Sequence, residues 1–275
     1  MQGLAGRVAV VTGGGGGLGA ASALRLSHEG CRVAVVDIDG DAARKVAGSL
    51  PGEAIGITAD VALEEDVERY LDEAANSFGM IDFHHLNAGI PGSADGFPEL
   101  SAAEFDRVMA VNVRGLFLGL RGAFRRYRAA GAAGSVVLTA SIASLRGSAD
   151  LIAYQTSKHA VLGLLHGAAM YGGPLGIRVN AVAPGIVPTA LFTPAGRADM
   201  VRRAATAPLR RAGTPDEIAS VVAFLLSDEA SYMTGETVSV DGGSSVVSTV
   251  RNSGGAGAWD FGALDMRTYR REEHG

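Results

Sequence analysis

Short apolar runs rich in β-branched residues alternate with longer helix-like segments along most of this 275-residue chain. Most of the runs lack the apolar–polar alternation of a half-exposed strand, which is typical of strands buried on both faces of a parallel sheet. Seven strands are predicted, at residues 7–12, 32–37, 54–58, 81–86, 135–140, 177–182 and 237–240. Because helical segments separate them, we expect right-handed crossovers and an α/β fold with a doubly wound parallel sheet.

The helical segments are predicted at residues 18–29, 41–49, 64–77, 102–128, 154–171 and 215–226. The last of them has the clearest start signal. Thr214 is placed as its N-cap, Pro215 takes the first helical position, and Glu217 completes a capping box.

No linker is visible before residue 245, so we interpret residues 1–245 as one domain and residues 246–275 as a C-terminal extension. The extension contains a glycine-rich patch and Trp259, the only tryptophan of the chain. Two interpretations stay open for it. It is either a loosely held terminus or an arm that docks onto a neighbouring subunit through Trp259 and Phe261.

Composition excludes several classes of protein. Apolar residues make up 47% of the chain, enough for a packed core, and the net charge of −5 argues against nucleic-acid binding. Cys31 is the only cysteine, which excludes internal disulfides and thiolate zinc clusters. The apolar runs are much shorter than the ~20 residues of a membrane span, and no secretion signal precedes Arg7. We therefore expect a cytoplasmic protein without membrane contact.

A run of five glycines between the first strand and the first helix marks the first candidate site. Glycines let the backbone approach a pyrophosphate, while N–H groups at the helix start face its negative charge. A flexible turn would look similar, but Asp37 ends the second strand about 20 residues further on, where an acid can accept hydrogen bonds from ribose hydroxyls. Since Asp37 would also repel a 2′-phosphate, NAD is favoured over NADP.

Tyr154 and Lys158 are spaced to share one face of a helix, and Ser141 follows the end of a buried strand. An ordinary amphipathic helix would fit this spacing too, but Lys158 is one of only two lysines among 24 basic residues. A lysine ~5 Å from a tyrosine supplies on the order of 3 kcal/mol toward its ionisation. We expect Lys158 and a cationic nicotinamide together to bring the pKa of Tyr154 down toward neutrality. Tyr154 could then act as general acid and base while Ser141 holds the substrate oxygen.

With these residues in view, the chain resembles the short-chain dehydrogenase/reductase family, single-domain type, across about residues 5–245. The resemblance rests on motifs that occur in order: Thr12-Gly13-x-x-x-Gly17-x-Gly19, Asp60-Val61, Asn87-Ala88-Gly89, Asn112, Ser141, Tyr154-x-x-x-Lys158 and Pro184-Gly185-x-Val187-x-Thr189. It implies a three-layer Rossmann sandwich with NAD(P)-dependent oxidoreductase activity.

The resemblance also implies roles for single residues. Asn112 would complete a catalytic tetrad with Ser141, Tyr154 and Lys158, and would hold a water in a proton relay to the lysine. Asp60 and Val61 would lie beside the adenine, residues 87–89 along the middle of the cofactor, and Val187 and Thr189 at the nicotinamide carboxamide. The full set of expected cofactor contacts is Gly13, Gly17, Leu18, Gly19, Asp37, Asp60, Val61, Asn87, Ala88, Gly89, Tyr154, Lys158, Pro184, Gly185, Val187 and Thr189.

One stretch departs from the family pattern. Leu86 stands where the family usually has a first asparagine, and His84 and His85 precede it in a strand expected to be apolar. A metal site would need a third ligand, and the remaining histidines show no ligand-like spacing. We therefore expect no metal and two strand histidines satisfied by hydrogen bonds.

The segment after Thr189 is expected to lie over the nicotinamide as a lid. Its apolar start favours a hydrophobic or cyclic secondary alcohol, or the matching ketone. The expected substrate contacts are Ser141, Ile142, Tyr154, Leu191 and Phe192. A reductase of carrier-bound 3-oxoacyl chains and a non-catalytic NAD-binding regulator remain as alternatives.

The resemblance also implies a homotetramer, because this family often assembles through the two long helices that follow the fourth and fifth strands. On the second of these helices, a small apolar face could take part: Ala160, Val161, Leu164, Leu165, Ala168 and Ala169. Burial of the same face in the core of one subunit is the competing interpretation.

Overall fold

The computed structural model describes residues 1–147, 150–189 and 194–246. It contains seven strands: β1 (Val8–Thr12), β2 (Arg32–Asp37), β3 (Ala54–Thr58), β4 (Phe83–Leu86), β5 (Gly134–Thr139), β6 (Ile177–Pro184) and β7 (Thr237–Val240). All neighbouring strands pair in parallel, in the order β3-β2-β1-β4-β5-β6-β7. The prediction of a doubly wound, seven-stranded parallel sheet is confirmed.

The α-helices of the described residues are α1 (Gly17–His28), α2 (Gly40–Ser49), α3 (Glu64–Phe78), α4 (Ala102–Met109), α5 (Gly115–Ala130), α6 (Ile152–Gly172), α7 (Pro194–Ala204) and α8 (Pro215–Leu226). α1 and α8 cover one face of the sheet, where Leu26 and Val222 are fully buried. α5 and α6 cover the other face through side chains such as Leu120 and Leu165. The sheet is therefore the middle layer of three, as the resemblance implied.

The strand order reverses between β1 and β4, because β2 and β3 extend the sheet to one side and β4 to β7 to the other. At such a switch point the loops after neighbouring strands diverge and leave a crevice at the carboxyl ends of the strands, where ligands of open α/β sheets bind. The loops after β1, β4, β5 and β6 carry Gly13, residues 87–89, Ser141 and residues 185–189, while Tyr154 and Lys158 lie near the start of α6.

The single helix predicted at residues 102–128 is wrong. α4 and α5 are separated by a π-helical turn, Ala110–Arg114, in which Asn112 is fully buried. The wider turn lets the Asn112 side chain reach partners outside its own helix, and turns of this kind are frequent at functional sites. Helix α7 was not predicted, and β6 continues two residues beyond its predicted end.

The start of α8 is as predicted. The Thr214 hydroxyl accepts a hydrogen bond from the Glu217 N–H (3.3 Å), and the Glu217 carboxylate accepts one from the Thr214 N–H (2.9 Å). Trp259 and Phe261, the residues expected to dock the extension, lie outside the described residues. No helix of the described part combines the length and apolar character that crossing a membrane requires.

Candidate active site

Ser141, Tyr154 and Lys158 come together at the carboxyl end of β5, as expected. Tyr154 and Lys158 lie one turn apart near the start of α6, and the Lys158 Nζ is 5.6 Å from the centroid of the Tyr154 ring. Ser141 begins a short 3-10 turn directly after β5. The Ser141 hydroxyl hydrogen-bonds the Tyr154 phenol, so the two groups converge on one point at the edge of the sheet.

Lys158 points into the protein and not toward solvent. Only 3% of the residue is exposed, and its ammonium group donates a 2.7 Å hydrogen bond to the Thr139 carbonyl oxygen. Burial lowers the pKa of Lys158 to about 8, so the side chain is still mainly charged at pH 7. A fixed cation thus lies beneath the Tyr154 ring.

The lowered pKa expected for Tyr154 included a bound cationic nicotinamide, so it stays a prediction for the cofactor-bound protein. Burial raises the pKa of the Tyr154 phenol above its ordinary value, and the hydrogen bond with Ser141 offsets this only in part. The expectation counted the attraction of the lysine but left out the cost of taking a phenolate out of water. Tyr154 is therefore a neutral phenol in the protein alone.

Ser141 is held by its own turn. Its hydroxyl accepts a hydrogen bond from the Ala143 N–H (3.1 Å), and its N–H donates to the Ser144 hydroxyl (3.2 Å), which forms a capping box. The Ser141 oxygen is the acceptor in the hydrogen bond with Ala143, so the hydroxyl proton is left to be donated to another group. Ile142, an expected substrate contact, follows in the same turn and is half-buried.

Asn112 ties three elements together. Its amide nitrogen donates to the Ile90 carbonyl and to the Ser157 hydroxyl, both at 2.9 Å, and its amide oxygen accepts from the Ile90 N–H at 2.8 Å. Ser157 in turn donates to the Tyr154 carbonyl at 2.6 Å. A Cβ atom built on Gly89 would lie 3.2 Å from the Asn112 Oδ1 and 3.6 Å from the Lys158 Nζ, so Asn112 belongs to the same cluster.

The glycine loop has the geometry that a pyrophosphate requires. Gly13 and Gly17 have φ angles of +63° and +53°, a region that side chains disfavour. A Cβ atom on Gly19 would lie 2.0 Å from the Gly13 carbonyl oxygen, so only glycine permits this close packing of helix on loop. Gly16 is the N-cap of α1 and provides no side-chain cap, which leaves the first N–H groups of the helix open to an anion. Leu18 lies in that first turn.

Asp37 reaches the same loop from the end of β2. Its carboxylate accepts hydrogen bonds from the N–H groups of Gly15 (2.9 Å) and Asp39 (3.0 Å). The side chain is thereby fixed beside the glycine loop with lone pairs to spare for ribose hydroxyls. The open cradle of the loop and this acid together fit an adenine dinucleotide.

Asn87 fastens the glycine loop to the centre of the sheet. Its amide nitrogen donates to the carbonyls of Thr12 (3.1 Å) and Gly13 (3.3 Å), and its amide oxygen accepts from the Thr139 hydroxyl (3.0 Å). The N–H groups of Asn87 and Ala88 both donate to the Thr12 hydroxyl. The side chain of Asn87 is thus engaged with protein atoms.

The other expected contacts lie around the same crevice. Asp60 caps the turn before α3 by accepting from the Ala62 N–H (2.9 Å), and Val61 packs against Gly115 at the start of α5. Gly185 follows the end of β6 and has no room for a side chain, because a Cβ atom would lie 2.7 Å from the Asp241 Cα. A Cβ atom on Gly17 would lie 3.4 Å from the Thr189 side chain, so the loop after β6 meets the glycine loop.

Val187 and Pro184 are buried, and Val187 belongs to the core on the α1–α8 side of the sheet. Its side chain is therefore used in packing, and a cofactor contact would be made by its backbone. Leu191 and Phe192, the expected substrate contacts of the lid, lie outside the described residues.

Comparison with known proteins decides the family. The model described as Enoyl-(Acyl carrier protein) reductase, one of the short-chain dehydrogenase models, matches residues 14–245. The chain belongs to the short-chain dehydrogenase/reductase family. The prediction of an oxidoreductase of the alcohol and ketone type is confirmed at the level of this family.

Three relatives show how far the likeness extends. This short-chain dehydrogenase is 41% identical to a levodione reductase of Leifsonia aquatica, over 87% of its own chain and 94% of the relative. It is 40% identical to a cyclohexanol dehydrogenase of Acinetobacter sp. strain SE19, over 86% and 94%. The crystal structure of NAD+-bound xylitol dehydrogenase superposes with a TM-score of 0.81 at 34% identity, over 88% and 100%.

The sequence analysis assigned no role to three polar residues of this short-chain dehydrogenase site: Thr12, Thr139 and Ser157. Thr12 opens the glycine motif, and Ser157 lies between Tyr154 and Lys158, so their positions were a usable signal. Thr139 had none, because it holds Lys158 with a backbone carbonyl, which every residue has.

The two histidines of β4 are fully buried. The His85 Nε2 lies 3.0 Å from the Thr139 hydroxyl, whereas His84 packs edge-on against Tyr127. The expectation that hydrogen bonds satisfy both rings is wrong for their Nδ1 atoms, which have no partner among the described residues. Within those residues no group of three or more His, Cys, Asp or Glu side chains could hold a metal ion.

Proposed function

We propose that this short-chain dehydrogenase transfers hydride between NAD and a hydrophobic or cyclic secondary alcohol or its ketone. The observation that carries the proposal is the buried Lys158 ammonium beneath the Tyr154 ring, with Ser141 bound to the phenol of that ring. A general acid and base, an orienting hydroxyl and a fixed positive charge stand together at the edge of the sheet where substrates bind.

In ketone reduction Tyr154 donates its phenolic proton to the substrate oxygen, and in alcohol oxidation it accepts that proton. Ser141 donates a hydrogen bond to the same oxygen and holds it at the phenol. Bound NAD supplies the acceptor or donor of the hydride. Lys158 uses one ammonium proton on the Thr139 carbonyl. The other two would stabilise the phenolate of Tyr154 and bind a ribose hydroxyl of the cofactor.

The glycine loop, Leu18 and Asp37 would hold the pyrophosphate and adenosine half of NAD, and residues 87–89, Pro184, Gly185, Val187 and Thr189 the nicotinamide half. Asp37 supports NAD over NADP, because a carboxylate fixed beside Gly15 repels a 2′-phosphate. The NAD+-bound state of the xylitol dehydrogenase relative supports the same choice. Turnover with NADPH equal to that with NADH would contradict it.

The substrate class rests on the apolar Ile142 beside Ser141 and on the relatives named for levodione and cyclohexanol. Leu191 and Phe192 are proposed as further apolar contacts. A panel of cyclic and aryl alcohols with NAD, read by absorbance of the reduced cofactor, would find the substrate. An acyl-carrier thioester that is turned over faster than every member of the panel would favour the carrier-bound alternative.

A homotetramer is also proposed, through α5 and α6. The structure divides the apolar face that was expected to take part. Val161 and Leu165 are buried in the core, whereas Leu164 and Ala168 line an open groove of about 440 Å³ together with Phe117 and Phe124. Light scattering that shows a monomer at micromolar concentration would contradict the assembly.

Replacement of Tyr154 by phenylalanine tests the mechanism. Hydride transfer is expected to fall by about 10³-fold, because the proton donor is lost while the ring remains, and NADH affinity is expected to stay near the wild-type value. Unchanged turnover of a confirmed substrate would contradict the role of Tyr154. If the wild-type protein binds NADH but turns over no alcohol, ketone or acyl thioester, the regulatory alternative is favoured.

A further inference from the structure

The two histidines of β4 have different surroundings although they are neighbours in sequence. Successive residues of a strand point to opposite faces of the sheet, so His84 faces Tyr127 of α5 and His85 faces the opposite layer. Among the described residues, the His84 side chain forms no hydrogen bond with a residue next to the candidate active site, whereas that of His85 forms one. Its Nε2 lies 3.0 Å from the Thr139 hydroxyl, at the last residue of β5.

The donor and acceptor in each hydrogen bond between His85, Thr139 and Asn87 can be assigned from the partners of Asn87. The Asn87 amide nitrogen lies against two backbone carbonyls, of Thr12 and Gly13, which can only accept. The Asn87 amide oxygen therefore faces Thr139 and accepts the single proton of that hydroxyl. Because the Thr139 proton is used on Asn87, the His85 Nε2 must carry a proton and donate it to Thr139.

This chain of donors reaches both halves of the site. Thr139 orients Asn87 and thereby the carbonyls of the glycine loop, and the same residue holds the Lys158 ammonium with its own carbonyl oxygen. We propose that His85 is a positioning residue for hydride transfer, which acts through Thr139 to fix Asn87 and Lys158 relative to each other. The inference rests on the proposed function of this site.

A packing role alone does not explain an imidazole at this position. The Nδ1 of His85 has no hydrogen-bond partner within the described residues, which destabilises a buried polar atom. A leucine of similar size would fill the same space without that cost. What the imidazole adds, and leucine does not, is the Nε2–H donor to Thr139. Burial lowers the pKa of His85 to about 3, so the ring stays neutral with one proton.

Three variants of the full-length protein test the proposal: His85→Leu, His85→Gln and the matched control His84→Leu. For His85→Leu we expect kcat to fall about tenfold and the Kd for NADH to rise about threefold, the size of effect that loss of one hydrogen bond produces. His85→Gln brings an N–H donor back near the Nε2 position and should restore both values to within about twofold. His84→Leu should change neither, because His84 has no link to Thr139.

Two measurements need no substrate and stay valid if the proposed function fails. Fluorescence titration gives the NADH affinity of each variant, and the side-chain 15N spectrum of histidine in the wild-type protein shows which ring nitrogen carries the proton. A neutral His85 with its proton on Nε2 is expected. A proton on Nδ1 would overturn the proposal. So would wild-type kcat and NADH affinity in His85→Leu, or an equal loss in His84→Leu.

Discussion

The sheet holds one cation at each end, the buried Lys158 and the half-buried Arg178, and comparing them shows how this fold separates stability from chemistry. Arg178 lies near the start of β6, where its guanidinium donates to four carbonyl oxygens, those of Leu225, Leu226, Ser227 and Met233. Lys158 lies at the carboxyl ends of the strands and donates to one carbonyl oxygen, that of Thr139. Both are held by backbone atoms, but Arg178 is nearly saturated and Lys158 is not.

The difference follows from what each cation binds. The carbonyls around Arg178 include the unpaired ones that every helix leaves at its C-terminal end, here that of α8. Burial lowers the pKa of both side chains, that of Lys158 to about 8, while the Asp228 carboxylate raises the pKa of Arg178 in part. Lys158 has less compensation for its burial, because only one of its ammonium protons has an acceptor among the described residues, and this leaves the others for the roles proposed above.

The largest effect is expected when the charge of Lys158 is removed. In Lys158→Met, kcat/KM for a confirmed alcohol should fall by about 10³-fold, because the phenolate of Tyr154 loses its stabilising cation. The free energy of unfolding should change by less than about 1 kcal/mol, since a buried charge and one hydrogen bond disappear together. Steady-state kinetics and urea unfolding measure the two quantities. A loss of stability without a loss of rate would reverse the assignment of Lys158.

The opposite outcome is expected for Arg178→Met. Removal of the guanidinium leaves the Leu226 carbonyl without a donor among the described residues and takes one of two donors from the carbonyls of Leu225 and Ser227. Because these hydrogen bonds come from a charged group, the free energy of unfolding should fall by about 3 kcal/mol. The value of kcat should stay within about twofold of the wild type, because Arg178 lies at the far end of the strands from Tyr154. A tenfold lower kcat in a folded Arg178→Met protein would show that the two ends of the sheet are coupled.

The features that the sequence predicts are those set by local pattern, and the features that it does not predict depend on contacts made only in the fold. The strands could be predicted because apolar β-branched runs indicate strands buried on both faces. Tyr154 and Lys158 could be predicted because their helical spacing places them on one face of a helix. The π-helical turn around Asn112 could not be predicted, since no glycine or proline interrupts residues 110–114. Arg178 looked like any strand residue, because its partners are carbonyls brought close only by the fold.

The raised pKa of Tyr154 in the protein alone could not be predicted, for a related reason. Its spacing from Lys158 indicates attraction, but nothing in the sequence tells how far the phenol is removed from water. The role of Thr139 could not be predicted either, because its carbonyl and hydroxyl meet Lys158, Asn87 and His85 only in the folded protein.

The histidines of β4 extend the comparison to buried bases that stay uncharged. Burial lowers the pKa of His84 to about 3, compared with about 6.5 in an unfolded chain. Below pH 6.5 the unfolded chain therefore binds a proton at this histidine, whereas the folded chain does not. The free energy of unfolding falls as the pH decreases toward 3, by up to about 1.4 kcal/mol per pH unit. Above pH 6.5 the contribution is fully present.

His84→Leu removes this proton linkage at a side chain that, among the described residues, has no hydrogen bond to Thr139 or Lys158. As the pH falls from 7.5 to 5, the free energy of unfolding of this variant should increase by about 2 kcal/mol relative to that of the wild type. Urea unfolding at a series of pH values measures the difference. Two curves that stay parallel over this range would mean that His84 is protonated in the folded protein, and the neutral burial inferred for β4 would be wrong.

The smallest effect is expected at the other end of the helix that Arg178 holds. The Thr214 hydroxyl accepts one N–H at the start of α8, at 3.3 Å, and Glu217 is held independently by Arg211. Thr214→Ala should therefore lower the free energy of unfolding by about 1 kcal/mol, with Thr214→Ser close to the wild type. If Thr214→Ala costs as much as Arg178→Met, then α8 is anchored at its exposed start and not at its buried end, and the structural role assigned to Arg178 would have to be divided between the two.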